Sequence, residues 1–207
     1  MGNFILRPLL ISDRDWVTQR IIHSWGSKLV VVHETIYHPA ELPGFVVLAG
    51  GNIEGLLTYH FEGISCEIVT INSWNEGRGV GTALIESVKQ NARQNGCKRL
   101  WLTTTNDNTN ALHFYQKHGF VISVIRINAV EGTRKIKPEI PLTGDNGIPI
   151  RDEIDLEMWF YSGVNLLSNT QPINKQTPKL SSPVVHFARI VADSGIAKTR
   201  SSVQTEY

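Results

Sequence analysis

Apolar residues follow two different periods along the chain, and each period predicts a different kind of element. Up to about residue 74 most of them form short runs rich in β-branched and aromatic residues, which is typical of strands. A Gly-Gly-Asn turn joins two of these runs and predicts a hairpin. The predicted strands cover residues 4–7, 29–32, 45–49, 53–59 and 66–72.

A first helix interrupts these strands. Val17, Ile21 and Trp25 recur at a spacing of four residues, which is the period of one helix face. Ser12 stands three residues before Asp15, and this pair resembles a capping box that opens the helix. A glycine, residue 26, follows as the stop, so the pattern predicts a helix between Ser12 and Gly26.

From Val80 onward helices and strands alternate. An amphipathic helix is predicted from Val80 to a stop at Gly96, and a second from a cap at Asn108 to a stop at Gly119. Residues 98–105 are continuously β-rich, so we expect this strand in the interior of the sheet. Further strands are predicted at 120–127 and 153–160, separated by a long stretch, 130–152, that contains Pro and Gly. The order of elements indicates a mixed α/β or α+β domain with a strongly bent sheet.

The C-terminal part of the chain has a different composition. Residues 161–207 are rich in Ser and Thr and show little regular apolar pattern, which is typical of a flexible tail. A short helix near 183–194 is the one element that the pattern allows there, because Ser182 and Pro183 suit a helix start. We therefore expect a folded domain over residues 1–160 and a tail over 161–207.

Charge and cysteine content narrow the classes of partner. The 20 Lys and Arg residues nearly balance the 19 Asp and Glu residues, which gives no electrostatic reason to expect nucleic acid or an acidic membrane as a partner. No apolar run approaches the ~18 residues of a membrane-spanning helix. Cys66 and Cys97 lie far apart and lack the neighbours of a zinc site, so we expect no metal and a reducing, cytoplasmic location.

The segment that carries chemistry is the glycine-rich turn Glu76-Gly77-Arg78-Gly79-Val80-Gly81-Thr82. It joins a predicted strand to a predicted helix, where unpaired backbone N–H groups and the helix dipole favour an anion. No Lys follows the glycines as a Walker loop requires, and Leu84 stands where a dinucleotide fingerprint needs its last Gly. The turn therefore predicts a site for a phosphorylated ligand of another kind.

Two segments together resemble the GNAT superfamily of N-acetyltransferases. The first, T-I-N-S-W-N-E-G-R-G-V-G-T-A-L, is similar to the family's acetyl-CoA motif, and the second, N-x-x-A-L-H-F-Y-Q-K-H-G-F at 108–120, to its downstream Asn/Tyr helix. The resemblance covers residues 3–160 and implies a strongly bent, mostly antiparallel sheet flanked by helices, with two strands splayed at the cofactor site. Glu76 departs from the Gln or Arg that the family usually has at that position.

The resemblance also implies roles for individual residues. Acetyl-CoA would be the acetyl donor, its pantetheine arm pairing with the strand backbone and its pyrophosphate lying on the glycine turn. Asn108 would contact the cofactor arm, and Tyr115 would stand near the thioester sulfur and protonate the departing thiolate. The backbone N–H of Ile71 would stabilise the oxyanion. The implied cofactor-binding residues are Val69, Thr70, Ile71, Gly77, Arg78, Gly79, Val80, Gly81, Thr82 and Asn108.

A proton acceptor is also needed, because an amine with a pKa of ~10.4 is mostly charged at neutral pH. Thr103 stands where related ribosomal-protein acetyltransferases carry a Glu base, and a threonine cannot serve. Glu67 is the next candidate, and its even spacing from Ile71 predicts that both side chains lie on one face of the strand. An exposed strand start is the alternative for Glu67. His33 could line the acceptor pocket or only pack against the fold, and the same alternatives hold for Tyr37, which we expect in the turn region after the first helix.

These features predict an N-acetyltransferase in which the amine of a small molecule or peptide attacks acetyl-CoA directly, with Tyr115 and Glu67 as catalytic residues. The same features are compatible with a homodimer. The rival hypothesis is a catalytically silent acyl-CoA-binding regulatory module, which the missing base at position 103 favours. Both hypotheses require acetyl-CoA binding, so only transfer to an amine distinguishes them.

Overall fold

A computed structural model describes residues 4–74, 77–144 and 147–160. Thirteen helices and strands are present in these residues, with short 3-10 turns at Ile11–Asp13 and Pro39–Glu41. They are β1 (Ile5–Pro8), α1 (Arg14–Trp25), β2 (Val30–Val32), β3 (Thr35–Tyr37), β4 (Gly44–Ala49), β5 (Asn52–Glu62), β6 (Ser65–Ser73), α2 (Val80–Gln94), β7 (Arg99–Thr105), α3 (Thr109–Lys117), β8 (Val121–Arg126), α4 (Val130–Ile136) and β9 (Glu153–Trp159). The predicted tail and its helix at 183–194 lie outside the described residues.

Seven strands form one sheet in the order β1-β4-β5-β6-β7-β9-β8. All neighbouring strands are antiparallel except β6 and β7, which are parallel. The mixed fold with a mostly antiparallel sheet is therefore confirmed, as is the interior position of β7. Among the described strands, β2 and β3 pair only with each other, as a separate hairpin.

Each face of the sheet carries its own apolar core. On one face α2 packs through Leu84, Ile85 and Val88, all fully buried against residues of the central strands. On the other face Val17 and Ile21 of α1 are buried together with the β2–β3 hairpin. The two cores pack against β6 from both sides, and three of the predicted cofactor residues, Val69, Thr70 and Ile71, lie on this strand.

A close backbone approach fixes the start of α2. Gly55 in β5 has no space for a side chain, because a Cβ there would collide with the Val80 side chain. Val80 is buried as the first residue of α2. The glycine thus lets the N-terminus of α2 lie directly on the sheet, beside the end of β6.

Three predicted features differ in the structure. The capping box at Ser12 is wrong: α1 begins at Arg14, and Asp13 accepts the Leu10 N–H at 2.8 Å while pairing with Arg7 at 2.6 Å. The stretch 130–152 contains α4, a helix that the sequence did not indicate because the stretch includes three glycines and three prolines. Tyr37 belongs to β3, a three-residue strand too short to show alternation.

A β-bulge in β6 also changes which side chains share a face. Thr58 of β5 pairs with Thr70, whereas the next residue, Tyr59, pairs with Ile68. Val69 is therefore an extra residue, and an extra residue reverses the alternation beyond it. The prediction that Glu67 and Ile71 share a face is wrong, since Ile71 packs into the α2 core.

Candidate active site

The strands β6 and β7 separate in the middle of the sheet. They pair only where Ser65–Glu67 lies beside residues 99–101, although β6 continues to Ser73 and β7 to Thr105. Beyond that point the facing edges of β6 and β7 are paired neither with each other nor with any other described strand. The splayed strands expected from the sequence are therefore present, with Glu67 and Trp101 as the last pair.

A cavity of about 900 Å³ fills the gap between the two strands and continues to the start of α2. Residues of β6, the glycine turn, β7 and α3 line it, and Trp25 contributes from the end of α1. All the predicted cofactor residues except Arg78 lie on this cavity: Val69, Thr70, Ile71, Gly77, Gly79, Val80, Gly81, Thr82 and Asn108. Arg78 is exposed, and Glu76 lies outside the described residues.

The glycine turn leaves the N-terminus of α2 open to the cavity. Gly79, the residue before the helix, has a φ of 81° and offers no side chain to cap the first N–H groups. Gly77 has a φ of 76°, and both lie in the left-handed region that glycine tolerates best. Open N–H groups and a helix dipole directed at a cavity form a site suited to phosphate.

Two side chains from the second motif border the same cavity. Asn108 caps α3, where its Oδ1 accepts the Ala111 N–H at 3.2 Å. Tyr115 is 7 % exposed and packs edge-on against Phe114 and Phe120. Burial raises the pKa of the Tyr115 phenol, so its proton is retained at neutral pH. A protonated phenol on the cavity wall can donate to an anionic sulfur.

Glu67 lies at the point where the strands separate, on the face covered by the β2–β3 hairpin. It is 4 % exposed, and its Oε2 accepts the Tyr37 hydroxyl at 2.8 Å. Its Oε1 is buried with no hydrogen-bond partner among the described residues. Burial, partly offset by the Tyr37 bond, raises the pKa of Glu67 above its ordinary value. The exposed strand start considered for Glu67 is therefore wrong.

Glu67 does not itself line the cavity in the part of the chain that the structure describes. Its neighbours Ile68 and Val69 do, as does Thr103 across the gap on β7. Glu67 is thus one residue outside the cavity wall, on the hairpin side.

A cluster of three polar side chains, His33, Thr103 and Asp155, adjoins Glu67. The sequence alone left the role of His33 undecided. His33, in the turn of the β2–β3 hairpin, places Nε2 3.0 Å from Asp155 Oδ1 and 3.2 Å from Thr103 Oγ1. Thr103 also donates to Asp155 at 2.9 Å. The His33 ring stacks on Trp101 with 5.6 Å between the ring centroids. His33 and Tyr37 therefore both reach the central strands from one hairpin.

The carboxylate of Asp155 is the anchor of this group. Arg126 lies 2.6 Å from its Oδ2. Burial works against ionisation, but hydrogen bonds from His33, Arg126 and Thr103 outweigh it and hold the pKa of Asp155 below its ordinary value. One sequence signal points to this arrangement, because β-branched runs flank His33-Glu34 on both sides. His-Glu is, however, an unusual pair for a hairpin turn.

Two further classes of site are absent from the described residues. No three His, Cys, Asp or Glu side chains gather there in a way that could hold a metal ion. No helix in the same residues is long and apolar enough to cross a membrane. Cys66 and Cys97 are buried free thiols.

Comparison with known proteins agrees with this geometry. Residues 13–120 match the model of the acetyltransferase (GNAT) family. The uncharacterized protein YxbD of Bacillus subtilis is 46 % identical over 148 residues, which are 71 % of this chain and 93 % of YxbD. The chain therefore belongs to the GNAT family of acetyltransferases.

Solved structures share the fold. An IAA acetyltransferase from Bacillus cereus aligns with a TM-score of 0.57 at 21 % identity, over 76 % of this chain and 100 % of that one. A GNAT family acetyltransferase from Elizabethkingia anophelis, solved with acetyl-CoA bound, aligns with a TM-score of 0.55 at 22 % identity. The alignment covers 77 % of this chain and 100 % of that one. The Elizabethkingia anophelis protein thus binds acetyl-CoA, which is the donor expected here from the sequence.

Proposed function

We propose that this protein transfers the acetyl group of acetyl-CoA to an amine of a small molecule or peptide by direct attack. The observation that carries the proposal is the position of Glu67 and Tyr115 on either side of the splayed strands. One is a buried carboxyl with an unpartnered oxygen, and the other is a buried phenol on the cavity wall. Direct transfer needs one proton acceptor and one proton donor.

The donor would lie in the 900 Å³ cavity. Because residues of a strand alternately direct their N–H and C=O groups to either side, part of the β6 backbone between Val69 and Ile71 faces the gap. The pantetheine amides can pair with those groups as an added strand would. The pyrophosphate then lies on residues 77–82 at the α2 N-terminus, and Asn108 contacts the arm.

The chemical step balances with these residues. The amine nitrogen attacks the thioester carbonyl, a C–N bond forms, and the C–S bond breaks. Glu67 takes the proton that the amine loses, and Tyr115 gives its proton to the thiolate of CoA. The Ile71 N–H stabilises the oxyanion that forms in between. The raised pKa of Glu67 suits a base, since a stronger base removes the proton of an amine more readily.

Release of CoA thiol tests the proposal. Purified protein is given acetyl-CoA and one of four acceptors: n-butylamine, spermidine, lysine or a trialanine peptide. The proposal expects release that depends on one of these amines and falls in a Glu67→Gln variant. Acetyl-CoA binding without release from any acceptor would instead support the silent acyl-CoA-binding module, which Thr103 in place of a Glu base favours.

The remaining expectations concern assembly and location. A homodimer is favoured by β8, which is at the edge of the sheet and exposes Val121, Ile122, Val124 and Ile125. Light scattering during size-exclusion chromatography should give twice the mass of the 23.1 kDa chain, and a monomer mass would contradict this expectation. The cytoplasmic location and the domain limits at 160 stay predictions from the sequence.

A further inference from the structure

Thr103 lies at the junction between the donor cavity and the group around Glu67. It lines the cavity, and it is two residues beyond Trp101, the last β7 residue that pairs with β6. Residues two apart on a strand share a face, so Thr103 is on the same face as Trp101. Because a threonine cannot act as the base, Thr103 serves the site in another way, and that role rests on the proposed function.

The hydroxyl proton of Thr103 already makes a hydrogen bond within the protein. A threonine hydroxyl has one proton to donate and two lone pairs that accept. Thr103 Oγ1 donates to Asp155 Oδ1 at 2.9 Å. Arg126, which lies 2.6 Å from the other carboxylate oxygen, keeps Asp155 ionised and therefore able only to accept.

His33 occupies one lone pair of the same hydroxyl. Its Nε2 lies 3.0 Å from the Asp155 carboxylate, so Nε2 carries a proton and donates. The same N–H is shared with Thr103 Oγ1 at 3.2 Å. One lone pair of Thr103 is left, and the hydroxyl can offer only an acceptor to anything that enters the gap.

The fold holds this arrangement in place. His33 and Glu34 have φ values of 46° and 65°, a left-handed conformation that such residues rarely adopt. That turn brings His33 onto the face of Trp101. Unusual backbone conformations of this kind persist where the surroundings fix them, and they concentrate at functional sites.

We propose that Thr103 Oγ1 accepts an N–H hydrogen bond from the attacking amine and thereby selects primary amines. A neutral primary amine has two N–H groups, one for Glu67 and one for Thr103, while its lone pair attacks the thioester. A neutral secondary amine has one N–H and leaves either Glu67 or Thr103 unpartnered. Thr103 is a positioning residue, and no proton passes through it.

The test compares a primary amine with its N-methyl derivative. The primary amine used is whichever of n-butylamine, spermidine, lysine and trialanine is the best substrate of the wild-type protein. Wild-type protein should prefer it over the N-methyl form by about tenfold or more in kcat/KM. Thr103→Val keeps the shape but removes the acceptor oxygen, and should lower kcat/KM for the primary amine about tenfold while leaving the N-methyl amine nearly unchanged. The Thr103→Val variant should therefore no longer prefer the primary amine over its N-methyl form.

Two control variants separate this role from a structural one. Thr103→Ser restores the hydroxyl and should keep the preference within about threefold. Thr105→Val makes the same change two residues along β7, outside the cavity lining, and should behave as wild type. Calorimetric binding of acetyl-CoA should be equal in all four proteins, which shows that each is folded.

The outcomes distinguish the two proposals. If Thr103→Val keeps the wild-type preference while wild-type protein acetylates amines, the role of Thr103 is wrong and the proposed function stands. If wild-type protein releases no CoA with any of the four amines, the proposed function fails and the role of Thr103 falls with it.

Discussion

The donor side and the acceptor side of this site are built in different ways. The proposed donor side, which lines the cavity with residues of β6 and the glycine turn together with Asn108 and Tyr115, consists of two short segments whose backbone and local caps would provide the binding groups. The acceptor side joins residues far apart in sequence: Tyr37 to Glu67, and His33 to Asp155 across 122 positions. Local segments leave a motif in the sequence, whereas distant side chains meet only in the fold.

The largest expected effect is on the donor side. Gly79→Leu forces a branched side chain into a backbone with φ of 81° at the mouth of the cavity, and should weaken acetyl-CoA binding at least 100-fold by calorimetry. Gly51→Leu is a matched control, because Gly51 has a φ of 83° in the β4–β5 turn, away from the cavity. If Gly79→Leu binds acetyl-CoA as wild type does, the phosphate site is misassigned.

Tyr115→Phe removes a proton donor without removing the ring. Turnover should fall roughly 100-fold, within the range for loss of a general acid, while the Kd for acetyl-CoA changes little. Tyr59→Phe serves as the control, since Tyr59 is equally buried in the same core and lies outside the cavity lining. Unchanged turnover in Tyr115→Phe would exclude this phenol as the acid.

Tyr37→Phe tests the link between the hairpin and the base. The Tyr37 bond lowers the pKa of Glu67 against the larger opposite effect of burial, so its loss should raise that pKa further. The rising limb of the kcat/KM profile, which requires ionised Glu67, should then move to higher pH, and kcat should fall a few-fold. A rising limb at the wild-type pH would show that Tyr37 does not act on the base.

The smallest effect expected is on stability. The pKa of Glu67 is raised in the folded protein, so wild-type stability is fully present below the ordinary Glu pKa of ~4.3 and decreases as pH rises through the folded value. Glu67→Gln avoids this loss, which is about 1.4 kcal/mol for each pH unit between the folded and unfolded pKa values. Thermal denaturation should show a Tm advantage of Glu67→Gln at pH 8 that shrinks toward pH 4. An equal difference at both pH values would contradict the raised pKa.

The sequence predicted the elements around the proposed donor side well because their signals are local. The α2 stripe, the glycines at 77, 79 and 81, and the Asn108 cap all lie where periodicity and turn chemistry indicate them. Each of these signals comes from a few neighbouring residues, and the packing of the two cores does not change the local structure that they indicate.

The acceptor side could not be predicted in the same way. The bulge at Val69 is set by pairing with β5 and reverses the face of Ile71 relative to Glu67. The three-residue strand β3 is too short to give a pattern, so Tyr37 was expected in a turn. Asp155 follows the alternation of an ordinary strand, and its bonds to His33 and Thr103 depend on long-range packing.

Transfer by the Glu67→Gln variant tests the central claim most directly. CoA release with the best primary amine and acetyl-CoA binding are measured on the same preparation. Because the amide cannot take a proton from the amine, kcat should fall about 100-fold or more, whereas the acetyl-CoA Kd should stay within about twofold of wild type. Wild-type turnover in Glu67→Gln would contradict the division into a donor side that binds and an acceptor side that supplies the base.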